Sequence, residues 1–143
     1  MTSRIAFWIA KFVAGFIVLS LVLVVVFRFV PVPVTATMVM DGNGITKDWT
    51  PLARIDRNMV SAVIAAEDGK FCAHSGFDTE AIEQAIEERL AGERERGAST
   101  ISQQTAKNVF LWQGGGFFRK GLEAWFTFLI ENLWSKRRIM EVY

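Results

Sequence analysis

The chain has 143 residues, half of them hydrophobic, and its 16 Lys and Arg against 15 Asp and Glu leave a net charge of +1. That length holds one ordinary domain, and nearly cancelled charge gives no field that would favour nucleic acid as a partner. A single cysteine, Cys72, and a single histidine, His74, exclude an internal disulfide framework and a His/Cys zinc site, so any metal would be a hard cation held by carboxylates and phosphate oxygens.

From Ile5 to Phe27 only Lys11 interrupts an apolar run. Its roughly 23 residues are enough to span a bilayer core of about 30 Å. Arg4 and Lys11 lie at its front, against Arg28 behind, which places the N-terminus in the cytoplasm. The run is longer than a signal-peptide core, and Thr35-Ala36-Thr37 makes a poor cleavage site, so an uncleaved anchor is expected. Pro31-Val-Pro33 stops the anchor. Residues 1–33 are therefore read as cytoplasmic tip, anchor and exit linker, and 34–143 as the domain.

Val34 to Met40 reads as a short strand or extended linker, Asp41-Gly-Asn-Gly44 as a turn, and Lys47 to Leu52 as irregular. Trp49 suits either the domain surface or the membrane interface. Met59 to Ala66 forms a short helix with Val60, Val63 and Ile64 as its apolar stripe. The next position on that stripe is Glu67, at the helix end before Gly69. Partial burial there would suit a carboxylate to proton transfer at neutral pH, whereas a solvated helix end would carry no chemistry. Asp78 caps a second helix running to about Arg94, with Ile82, Ala85, Ile86 and Leu90 on its buried face.

Thr100 and Gln103 form a capping box that opens a third helix. Its first turn offers backbone N–H groups beside Ser99, Thr100 and Ser102, a seat for an anion such as phosphate if the helix is more than a well-capped one. Gln103, Gln104, Lys107 and Asn108 add polar groups with fixed geometry. Val109 to Trp112 and Phe117-Phe118 flank the loop Gln113-Gly-Gly-Gly116 and are expected in the core, with the membrane surface as the alternative. Arg119 to Trp134 is apolar almost all round and reads as a buried central helix. Glu123 lies within it, one turn from Arg119 and Lys120, in either a structural ion pair or a site. Ser135 caps a last helix whose apolar positions, Ile139 and Val142, reach Tyr143 uncapped. The chain is therefore expected to be cut there, with a frayed last turn.

Four ordered segments together resemble the peptidoglycan glycosyltransferases (family 51 glycosyltransferases), in their monofunctional biosynthetic transglycosylase branch. They are Glu67-Asp68 with Phe71, His74, Gly76 and Asp78; Gly97-Ala-Ser-Thr-Ile-Ser-Gln-Gln with Ala106-Lys107-Asn108; Arg119-Lys120 with Glu123-Ala124; and Ser135-Lys-Arg-Arg-Ile-Met-Glu-Val-Tyr143. Ala98 stands where many relatives have Gly, and the rest of the fourth motif and the fifth are not in the chain.

The resemblance implies a mainly α, lysozyme-like domain behind one transmembrane helix. It implies location in the cytoplasmic (inner) membrane, with the domain periplasmic or extracellular. It implies polymerisation of lipid II into glycan strands, with inversion and release of undecaprenyl pyrophosphate. On that reading Glu67 and Glu123 are catalytic, Glu67 as general base, and Ser99, Thr100, Gln103, Gln104, Lys107, Asn108, Arg119 and Lys120 bind substrate. His74 and Asp78 shape a loop. Mg2+ or Mn2+ could act at Glu123, with no organic cofactor. Partners would be lipid II, the growing glycan, the membrane and cell-wall synthesis or division proteins. The competing readings are a lytic enzyme using Glu67 as general acid and a non-catalytic cell-wall scaffold.

Overall fold

A computed structural model of the chain describes residues 2–92 and 97–143. The described residues are mainly helical and contain no strand. The helices are α1 (Thr2–Phe29), α2 (Ala36–Val39), α3 (Arg57–Glu67), α4 (Thr79–Leu90), α5 (Ile101–Phe110), α6 (Gly116–Leu133) and α7 (Lys136–Val142).

Helix α1 is, among the described residues, the one helix long and apolar enough to cross a membrane. It also packs on the rest of the chain. Phe16, Ser20, Val24 and Phe27 recur every three or four residues, so they share one face. That face lies against α6 and its surroundings. Phe16 meets Phe126 edge-on at 6.3 Å, and Phe27 lies 5.9 Å from Phe110. Trp125 Nε1 donates to Ser20 Oγ at 3.1 Å, and Trp134 Nε1 donates to the Val24 carbonyl at 2.7 Å. Arg138 donates to the Phe27 and Val30 carbonyls, which places a cation at the negative end of α1. Val24 is fully buried and belongs to the domain core.

The remaining core is formed by α5, α6 and α7. Ile101, Ile130 and Ile139 are fully buried, with Leu111, Phe126, Leu129 and Trp134 close to it. Each such side chain contributes roughly 1.5–3 kcal/mol by leaving water. Phe110 and Phe126 stack at 4.5 Å where α5 crosses α6. The expected central helix is therefore present. It begins at Gly116, however, and carries Phe117 and Phe118 outward, 98% and 74% exposed. Of the apolar segments flanking the glycine loop, Leu111 joins the core while Phe117 and Phe118 do not.

Several sequence expectations change. Val34–Met40 is not extended: Ala36–Val39 is a helical turn capped by the Thr35 hydroxyl. The stripe of α3 is only half-buried, and Glu67 at its end is exposed, with none of its side chain packed into the core formed by the described residues. On α4, Ile82 and Ala85 are half-covered, but Ile86 and Leu90 are 54% and 83% exposed, since no described helix runs along that stripe. The Asp78 cap stands, accepting from Ala81 N, and the helix ends at Leu90; Arg94, its expected end, lies outside the described residues. The last turn is not frayed: Ile139 is fully buried, and the Tyr143 N–H donates to the Ile139 carbonyl at 2.9 Å. Trp49 packs on the domain, its ring centroid 5.2 Å from the Arg138 guanidinium.

Candidate active site

The start of α5 organises the site. Thr100 and Gln103 form the capping box: Gln103 N donates to Thr100 Oγ1 at 3.2 Å, and Thr100 N donates to Gln103 Oε1 at 3.0 Å. The expected anion seat is occupied from within the chain. Ile101 N donates to Asp68 Oδ2 at 3.0 Å, so a carboxylate 33 residues away satisfies one of the free amides at the positive end of the helix. Asp68 is 7% exposed and takes a second donor, His74 Nε2, at 2.8 Å. The other ring nitrogen of His74 accepts from Gly76 N at 3.1 Å, which specifies the neutral tautomer protonated on Nε2. The Thr100 hydroxyl donates to the Gly76 carbonyl at 2.7 Å. Together these bonds fold the loop after α3 onto α5, and His74 shapes that loop as expected.

Gly76 is required there. Its φ is +94°, and a Cβ would meet Thr127 Cγ2 at 2.8 Å and Glu131 Cγ at 2.9 Å. Glu131 is itself held by the Ser102 hydroxyl and by Lys136, whose ammonium also lies 4.6 Å from the Phe71 ring centroid.

Because Asp68 is pinned to α5, its neighbour Glu67 stands at the rim of the same helix. Gln104 Nε2 donates to Glu67 Oε2 at 3.1 Å and to the Ser99 carbonyl at 3.2 Å. A pocket of about 140 Å³ opens here between Glu67, Asp78, Ala81 and the backbone from Gly97 to Thr100. A larger depression of about 550 Å³ adjoins it, sharing Gly97, Ala98 and Ser99 and extending to Ile82, Ile86, Gln103 and Lys120.

The second acidic group closes that end. Glu123 is 2% exposed; Arg119 Nη1 donates to one oxygen at 2.7 Å and Lys120 to the other. The i,i+4 and i,i+3 spacings made this pairing visible in the sequence. Arg119 also donates to the Gly114 carbonyl, tying the glycine loop to α6. Lys120 is half-exposed, and its Nζ lies 3.4 Å from Ser99 Oγ, so its charge faces the depression.

The structure thus places Glu67 and Lys120 on two adjoining pockets that share Ser99, with Gln104 bonded to Glu67 and the buried Glu123 bonded to Lys120 and Arg119. Thr100 and Gln103 are buried, with their polar atoms engaged in the cap. Asn108 instead lines a separate cavity of about 430 Å³ with Lys47, Trp49, Glu141 and Tyr143. Lys107 is half-buried one turn beyond Gln104. Two participants lie in the quoted motif segments but were given no role from the sequence: Asp68, and Tyr143, whose hydroxyl donates to Gln104 Oε1 at 3.3 Å. Burial, and then the charge of Glu67, hold the Tyr143 hydroxyl above its ordinary pKa.

In this structure both oxygens of Glu123, the expected metal-side carboxylate, are engaged by cations of the chain itself. Among the described residues no three His, Cys, Asp or Glu side chains converge.

The transglycosylase family model matches residues 34–143. The chain is 55% identical to the biosynthetic peptidoglycan transglycosylase of Caulobacter vibrioides, in a match covering 85% of this chain and 55% of that protein. It is 52% identical to proteins of the same description from Bdellovibrio bacteriovorus and Pseudomonas putida, covering 95% and 99% of this chain and 58% and 61% of theirs. The chain therefore spans little more than half the length of the curated relatives it matches. With the match extending over the whole of the site described above, the chain belongs to the transglycosylase family.

Proposed function

We propose that this chain carries the reaction centre of a membrane-anchored peptidoglycan glycosyltransferase that polymerises lipid II with inversion. One observation carries the reading. The Glu67 carboxylate and the Lys120 ammonium line two adjoining pockets that share Gly97, Ala98 and Ser99, and both contact the Ser99–Gln104 segment between them. A base and a cation so separated suit a displacement in which a hydroxyl attacks at one end and a diphosphate leaves at the other.

Glu67 takes the proton of the acceptor sugar's 4-hydroxyl. The freed oxygen pair forms a bond to the anomeric carbon of the growing chain, and the bond from that carbon to the diphosphate oxygen breaks. The departing pair becomes negative charge on the leaving oxygen beside Lys120. Glu123 holds Arg119 and Lys120 in place and does not touch the reacting atoms. Glu67, now protonated, returns its proton to solvent. The anchor keeps the site close to the membrane that carries the lipid-linked substrate, with the N-terminus in the cytoplasm.

The test is labelled lipid II with the full chain and its Glu67→Gln variant in detergent. Polymer from the wild type and a loss of at least about 100-fold in the variant, with an unchanged circular dichroism spectrum, is expected. Polymer at the same rate from both would overturn the role of Glu67. Shortening of preformed glycan without polymer would indicate cleavage instead of transfer.

A further inference from the structure

Glu67 is exposed, so burial does not position it. Its side-chain hydrogen bond among the described residues is to Gln104, through Oε2 alone. We infer that Gln104 is a positioning residue for Glu67, holding one carboxylate oxygen so that the other is left to accept the substrate proton. The inference rests on the proposed role of Glu67 as base.

The orientation of the Gln104 amide follows from its neighbours. The Ser99 carbonyl can only accept, so the amide nitrogen faces it at 3.2 Å. The same nitrogen has a second hydrogen, which points to Glu67 Oε2 at 3.1 Å. The amide oxygen then faces Tyr143, whose hydroxyl donates to it at 3.3 Å. A flipped amide would set oxygen against the carbonyl of Ser99 and against a carboxylate, losing both bonds. Gln104 thus has each side of its amide assigned.

The helix beneath is equally fixed. Its first turn is bonded to Asp68, the residue after Glu67. The end of α3 is therefore tied to α5 twice, once through Asp68 and once through Gln104. The first tie sets where Glu67 stands, and the second sets which way its carboxylate turns. Glu67 Oε1 has no hydrogen bond among the described residues, and Glu67 forms part of the wall of the pocket beside Gly97–Thr100. The family resemblance counted Gln104 among substrate-binding residues. The geometry directs its amide to the base instead.

The two roles separate in kinetics. Gln104→Leu keeps the bulk and removes the donors. A positioning role predicts a kcat lower by about 10- to 100-fold, the scale of a displaced reacting group, with KM for lipid II within about twofold. A raised KM at unchanged kcat would overturn the inference. Gln104→Glu supplies a pH signature. It can donate to Glu67 only when protonated, and at higher pH two carboxylates face each other. Its activity should fall on the alkaline side, where the wild type stays level, and a profile parallel to that of the wild type would refute the contact.

An activity-free readout keeps the two readings apart. The side-chain NH2 of Gln104 is followed by nitrogen–proton NMR in detergent from about pH 3 to about pH 8. Its resonances should titrate in the wild type and stay constant in Glu67→Gln. An amide that ignores pH, or titrates identically in both proteins, sinks the positioning role. A wild type that makes no polymer would refute the lipid II reading and leave this measurement to decide the contact.

Discussion

Replacing Asp68 by Ala tests the join between the loop after α3 and α5. Asp68 is 7% exposed and accepts from Ile101 N at 3.0 Å and from His74 Nε2 at 2.8 Å. Removing it leaves two buried donors without partners. A hydrogen bond to a charged group contributes about 1.5–3 kcal/mol, and an anion at a helix N-terminus roughly 0.3–1 kcal/mol more. The neighbouring Thr100–Gly76 bond survives, so the loop does not detach completely. The two lost bonds share one cluster and do not add in full, which puts the expected loss at about 2–4 kcal/mol. For a domain of this size that corresponds to a melting temperature lower by roughly 5–15 °C. Thermal unfolding of the full chain in detergent, followed by near- and far-ultraviolet circular dichroism, measures it. Asp68→Asn should fall between, because its amide oxygen can still accept from one donor. An Asp68→Ala protein melting within about 1 °C of wild type would refute the cap.

Lys120→Ala should lower turnover of lipid II by about 100-fold, the scale of one donor lost at a developing charge, and added salt should partly mimic the defect in wild type. Normal turnover in that variant would leave Lys120 only as a partner of Glu123. Gly76→Ala should cost about 1–3 kcal/mol from its φ of +94° alone, with more from the contacts at 2.8 and 2.9 Å, and equal denaturant midpoints would show that the loop can relax. Burial would by itself raise the pKa of Glu141, but hydrogen bonds from Arg138 and the Leu52 N–H outweigh it and hold the group below the ordinary glutamate value. Its stabilising contribution is therefore present above that pH and lost as pH falls through the lower folded-state value. Glu141→Gln should flatten that acid-side decline while reducing stability near pH 7 by roughly 1–2 kcal/mol; an unchanged acid limb would contradict the sign.

Signals contained within a few residues were legible in the sequence. Thr100 and Gln103, Asp78, and Ser135 cap the helices they were expected to cap, because a cap reaches only two or three residues along its own chain. The pairing of Glu123 with Arg119 and Lys120 was readable for the same reason, since one helical turn sets the distance. A helix long and apolar enough to cross a membrane was legible from an apolar length broken only by Lys11.

What required the tertiary structure was every contact whose partners lie far apart in the chain. An apolar stripe specifies that a face should be covered, not what covers it. The stripe of α3 therefore suggested a buried Glu67, whereas that end of the helix is open and Asp68 goes inside. A free helix N-terminus invites an anion without naming it, and only the approach of α3 to α5 filled that place with the chain's own carboxylate. The anchor likewise looked separable, but the carbonyls of Val24 and Phe27 are bonded by Trp134 and Arg138, 110 and 111 residues away. Residue types and spacing set local geometry through short covalent paths; which surfaces meet is decided by packing of the whole chain, and that packing linked Glu67, Gln104, Ser99 and Lys120 in one chain of contacts.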